Sequence, residues 1–203
     1  MIISKKIVQE SFTWEDYISL CESLVAENKS TGPIQTVEHA HFSTLNLTRM
    51  KRVFKTFQVN NETAIQFSET PRQLWLLITE SWCGDAAQSV PVLARLAALS
   101  PTIEFRIIIR DEHLDIMDLF LTNGGRAIPK LIGLNPDTFE VNWHWGPRPQ
   151  GATDVVTRCK NEGLEKEQIA LALQEWYNKD KGISITEELT DLVSFLNRNK
   201  FIS

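Results

Sequence analysis

The sequence predicts an α/β layered fold, a mixed four- to five-stranded sheet with helices on both faces and helical additions at both ends. Three observations carry this reading. From about residue 63 onward, short apolar runs alternate with amphipathic stretches. The first two runs are separated by a helix-length segment, which is the spacing of parallel strands joined by a crossover. The next two are separated only by Asn135-Pro136-Asp137-Thr138, which is the spacing of an antiparallel hairpin.

In chain order, residues 13–28 form an amphipathic helix. Thr13 and Asp16 are placed to cap it, and Trp14, Tyr17, Ile18, Cys21, Leu24 and Val25 share one face. Asn28-Lys29-Ser30-Thr31-Gly32-Pro33 breaks that helix, and a second helix is expected at about 43–57, with His39 and His41 flanking a loop before it. "QLWLLIT" (73–79) and "IEFRIII" (103–109) read as strands on either side of a helix at 83–99. Asp111 caps a helix predicted to reach Thr122, where Asn123-Gly124-Gly125 ends it. "PKLIGLN" (129–135) and "FEVNWHW" (139–145) form the hairpin, and helices follow near 152–161, 165–178 and 185–198. Ser184 and Glu187 have capping-box spacing at the start of the last one. The division expected is a helical extension at 1–62 packed on the core, a central α/β unit at 63–180 and a C-terminal helix at 181–203, all within one structural domain.

Composition narrows the function classes. The chain has 203 residues, 42% of them hydrophobic and 23% charged, with a net charge of −5. That is ordinary for a globular chain large enough to bury a core. It gives no basis for nucleic acid or an anionic membrane as partner. Cys21, Cys83 and Cys159 are too few and too scattered for a disulfide framework. With no apolar leader and no run of membrane-spanning length, the expected location is cytoplasmic. Asp111, Glu112, His113, Asp115 and Asp118 read as an acidic first turn and a solvated face, so no metal site is expected.

One motif carries chemistry. "ESWCGDAAQSVP" places Trp82, Cys83 and Gly84 at the first strand-to-helix junction, with Pro91 eight residues after the cysteine. "AIPK" (127–130) stands just before the third strand. Together these residues resemble the thioredoxin superfamily, in which Trp-Cys-Gly opens a redox loop and the proline of Ile-Pro is cis and faces the thiol. The similarity runs over about 63–180 and extends to a bacterial thioredoxin-like group. The departures are as informative. Asp85 and Ala86 stand where the family has proline and the resolving cysteine, and Leu77 stands where thioredoxins bury a proton-shuttling acid. The resemblance therefore implies the fold but not the dithiol reaction.

Two readings of function remain open. In the first, Cys83 alone exchanges with protein or small-thiol disulfides, glutathione being a candidate co-substrate and no other cofactor being implied. If the chain is an enzyme, it is then a single-thiol disulfide oxidoreductase. In the second, the chain is a non-catalytic adaptor that binds a peptide or partner, and a homodimer is also open. A helix N-terminus favours the thiolate and Asp85 opposes it. The candidate binding residues around Cys83 are Trp82, Gly84, Asp85, Ile128 and Pro129. The fold is expected to bring Arg126, Trp145 and Arg148 beside them, with Trp82 and Trp145 walling an extended peptide. Cys21 and Cys159 read as packed core residues.

Overall fold

The computed structural model describes residues 1–199. Four strands, β1 (Gln73–Thr79), β2 (Ile103–Ile109), β3 (Lys130–Leu134) and β4 (Val141–Trp145), form one sheet in the order β2-β1-β3-β4. β1 and β2 run parallel, and β3 pairs antiparallel with both β1 and β4. The expected α/β layered sheet is present, with four strands.

Alternation along the strands makes two cores. Leu74, Leu76 and Ile78 of β1, Ile108 of β2 and Ile132 of β3 face one side of the sheet. Trp75 and Leu77, Ile107 and Ile109, Leu131 and Trp145 face the other. The first face is covered by Ile3, by Val8 of α1 (Lys5–Glu10), and by Ile116, Met117 and Phe120 around α6 (Leu114–Met117). The second lies under α5 (Gly84–Ala97), α2 (Trp14–Ala26), α3 (Val37–Thr56) and α9 (Ile183–Asn199). Trp75 is fully buried and meets Phe67 and Trp143 edge-on. The first residues of the chain bridge both outer strands, Ile2 pairing beside β4 with Glu140 and Phe12 with Ile107 of β2.

Several boundaries differ from expectation for identifiable reasons. The Thr13–Asp16 capping box forms as predicted, with Asp16 N–H donating to Thr13 Oγ1 at 3.1 Å. α3 starts at Val37 rather than about 43, because Thr36 caps it by accepting from His39 N–H at 3.0 Å. His39 and His41 are therefore helical. α1 and α4 (Asn61–Ser68) were not expected; each is short and buries only one or two side chains. The helix predicted from Asp111 to Thr122 reduces to a 3₁₀ turn (Arg110–Glu112) and the single turn α6. Asp111 is committed elsewhere, its N–H to Glu80 and its carboxylate to Arg110. α7 (Gln150–Asn161) and α8 (Lys166–Asp180) lie near their predicted positions. α9 starts at Ile183, and its start is held by Asp180 rather than by a Ser184–Glu187 box. Asp180 accepts from Gly182 N–H, Ser184 N–H and the Ser184 hydroxyl.

Candidate functional site

The site grows from the end of β1. Glu80 and Ser81 leave the strand, Trp82 follows, and Cys83 becomes the N-cap of α5, its Sγ accepting from Ala86 N–H at 3.5 Å. Opposite it, the chain enters β3 through Ile128-Pro129, whose peptide bond is cis. The Cys83 thiol donates to the Ile128 carbonyl oxygen at 3.4 Å. Cys83 and Pro129 thus face one another as the resemblance implies, while Pro91 lies buried inside α5.

The surroundings of the half-buried Cys83 thiol disfavour its thiolate. Burial, with the neighbouring Asp85 carboxylate adding to it, pushes the Cys83 thiol up to about 12. The N–H groups of Ala86 and Asp85, and the Arg148 guanidinium, pull the other way without offsetting this. A sulfhydryl that donates into a carbonyl is also stabilised in its protonated form. Asp85 itself is tightly partnered. It pairs with Arg148 through Nη2–Oδ2 at 2.5 Å and Nε–Oδ1 at 2.9 Å, and it accepts from Tyr177 Oη of α8 at 2.9 Å. The place of a resolving sulfur is therefore closed by buried Ala86, and the residue before it is an ion-paired latch to the 146–149 loop and α8.

The other predicted site residues separate into two groups. Trp82 stacks on His39 with ring centroids 4.6 Å apart, and the Arg110 guanidinium carbon lies 4.8 Å from its ring centroid. Gly84 is exposed, with nothing within 4 Å of where a Cβ would stand. Arg126 is not brought to the sulfur, because Asp118 holds its guanidinium at 2.6 and 2.8 Å on the exposed side of the fold. Trp145 does not wall a peptide groove with Trp82. It is buried in the core, its Nε1 donating to Glu188 of α9 at 2.6 Å. Strand alternation points Trp145 under the C-terminal helix, a layer that the sequence alone could not place.

Sequence reading missed Glu80 and Lys130. Glu80 is fully buried; its carboxylate accepts from the Thr31 hydroxyl and from Asp111 N–H at 2.9 Å. Burial, opposed in part by those donors, raises its carboxyl to about 7. Thr31 also exchanges hydrogen bonds with Ser81, donating from N at 3.0 Å and accepting at Oγ1 at 2.8 Å. Asn46 of α3 donates to the Ser81 carbonyl at 2.9 Å. The N-terminal extension is thereby bonded directly to the residues that carry Cys83. Lys130 is 2% exposed and donates to Thr122 Oγ1 and to the Gly146 carbonyl, each at 2.8 Å. It ties together the two loops that flank Pro129.

Gly146 has no steric alternative. Its φ is +105°, and a Cβ there would stand 2.4 Å from the Pro129 carbonyl oxygen. Gly146→Ala is expected to cost about 3 kcal/mol in urea unfolding, and Gly84→Ala less than about 0.5 kcal/mol.

A groove of about 780 Å³ opens at Cys83. Trp82, Cys83, Gly84 and Asp85 floor it, one stripe of α3 forms a wall, and α7 and α8 form the other. Arg52 Nη2 and Asn178 Oδ1, 3.5 Å apart, join α3 to α8.

The family model described as Thioredoxin matches residues 33–161, more than half of the chain. The chain belongs to the thioredoxin superfamily. The match takes in α3 and the Thr36 cap, so this thioredoxin-like unit begins ahead of the strands. Among solved structures, a protein of unknown function from Pseudomonas aeruginosa is similar at a TM-score of 0.52 and 16% identity, over 90% of this chain and 99% of that one. An HIV epitope scaffold reaches a TM-score of 0.48 at 18% identity, over 79% of this chain and 97% of that one. At 16% identity the first of these likenesses concerns the fold alone. No curated protein matches the sequence. No helix among the described residues is long and apolar enough to cross a membrane.

Proposed function

We propose that this thioredoxin-fold chain is a binding protein that holds a partner segment in the groove above Cys83 and runs no disulfide exchange at its resting thiol. The observation that carries this is the state of the sulfur. It is held protonated, donating to Ile128, beside a carboxylate, with alanine where a second sulfur would resolve a mixed disulfide. The apolar groove over it has the volume of a ligand site, within the range of about 300–1,000 Å³.

The test compares partner capture by the native chain, Cys83→Ser and Leu45→Asp, the last placing a charge on the half-exposed groove wall. Partners should persist with serine and be lost with Leu45→Asp. Partners lost with serine would be disulfide-linked clients, and the proposal would fall.

One observation keeps single-thiol exchange as a second reading: Sγ lies at a helix N-cap against a cis proline. In that reading Cys83 thiolate attacks a glutathionylated protein cysteine, forming the Cys83–glutathione disulfide and releasing the substrate protein's thiolate. A glutathione thiolate would then attack that disulfide, releasing Cys83 thiolate and leaving as glutathione disulfide. Rapid glutathionylation of Cys83 at neutral pH would favour it over binding alone.

A further inference from the structure

The groove over Cys83 has a chemistry that the sulfur does not explain. On α3, Glu38, Phe42, Leu45 and Arg49 recur at helical spacing along one wall. Across from them, Val156 and Lys160 of α7 face the groove with the Lys166, Ile169 and Leu173 stripe of α8. Phe42, Leu45 and Leu171 remain 38%, 39% and 62% exposed, an apolar strip without cover among the described residues. Arg148 and Asp85 neutralise each other at the floor. The walls are then left with Arg49, Lys160 and Lys166 against Glu38. Among the described residues none of these three cations forms an ion pair, and Arg49 reaches only the Asn46 side chain at 3.3 Å. A cationic groove on a chain of net charge −5 runs against the overall composition.

We infer that this groove takes an acidic amphipathic helix of a partner protein, a proposal that rests on the binding reading above and specifies its occupant. An apolar stripe fits the strip formed by Phe42, Leu45, Leu171 and Leu173. Acidic flanks meet Arg49 on one wall and Lys160 and Lys166 on the other, so charge sits on both edges of the occupant. A fatty acid brings one carboxylate and answers only one wall. A second copy docked through the same face would bring three cations of its own and only Glu38 to answer them, because a twofold contact uses the same residues on both sides.

The test uses the purified full chain and three fluorescent peptides of about 16 residues, long enough to form a helix. One carries a leucine stripe flanked by glutamate, the second has lysine in place of glutamate, and the third scrambles the first so that the stripe is lost. The acidic striped peptide should bind at least about tenfold tighter than either control, and its affinity should fall with salt. Arg49→Glu combined with Lys166→Glu should reverse the preference toward lysine, with the fold checked by circular dichroism. Equal binding of all three peptides overturns the inference, as does a lysine preference in the native chain or no binding at all. One-to-one binding of decanoate without the acidic peptide overturns it in favour of a lipid, and self-association abolished by Arg49→Glu overturns it in favour of a dimer. The same titrations on Cys83→Ser separate the two proposals. An acidic preference that Cys83→Ser keeps, alongside cellular partners that it loses, supports the acidic helix while overturning the non-covalent reading. A lost preference alongside sulfur-independent partners overturns the acidic helix alone.

Discussion

At pH 8, Cys83 in the native chain should react with iodoacetamide about a hundredfold more slowly than an unperturbed cysteine. A free thiol near 8.5 is about one quarter thiolate at that pH, whereas a thiol near 12 is about one part in ten thousand. The deficit of roughly three orders of magnitude is partly repaid, because a more basic thiolate is a better nucleophile, with a Brønsted slope of about 0.4–0.5. Peptide mapping by mass spectrometry isolates Cys83 from Cys21 and Cys159, both buried. Asp85→Asn should speed the reaction. It removes a charge that raises the thiol and leaves the Arg148 guanidinium, which lowers it, without its carboxylate. A native rate equal to that of the urea-unfolded chain would return Cys83 to the class of exposed redox thiols and remove the ground for a binding protein.

The second large effect is on stability. Glu80 titrates near 7 in the folded chain and near 4.5 when unfolded. The folded state therefore holds the proton more tightly. The stability this contributes is fully present below about pH 4.5 and is lost as pH rises through 7, a change of about 3 kcal/mol. Glu80→Gln cannot titrate. The difference in unfolding free energy, native minus variant, should fall by about that amount between pH 5 and pH 8 in urea titrations. Above pH 7 the native chain carries a fully buried carboxylate whose donors are the Thr31 hydroxyl and Asp111 N–H. The loop at residues 30–32 should accordingly be the first to loosen, which amide exchange at Thr31 would show. A pH-independent difference would mean that Glu80 is solvated.

Legibility differed by interaction range. The strands were readable because seven-residue apolar runs such as Gln73–Thr79 are buried along their whole length. The α2 start was readable because its capping box lies within four residues. The pairing of Cys83 with Pro129 came from the family resemblance, not from any local signal. Two of the misreadings, at Glu80 and Trp145, depend on partners far along the chain, and two on local geometry. Glu80 looks like an exposed strand end until Thr31, 49 residues away, closes over it. Arg126 looked free because its partner Asp118 was read as part of a solvated helix face, on a helix that ends at Met117. Trp145 looked like a surface aromatic because the helix that buries it lies more than forty residues later. His39, read as a loop residue, turns toward Trp82 only because α3 begins one turn and more ahead of its apolar stripe.

The first twelve residues bear on a different matter. They bridge Glu140 beside β4 and then Ile107 on β2, so one short segment clasps both margins of the sheet. A margin left open is a template for another chain's backbone, the route by which sheets extend into neighbours and eventually into fibrils. Recognition by strand addition is therefore hindered where these bridges sit, at Glu140 and at Ile107. Removing residues 1–12 should yield a chain that retains its strands yet precipitates on concentration.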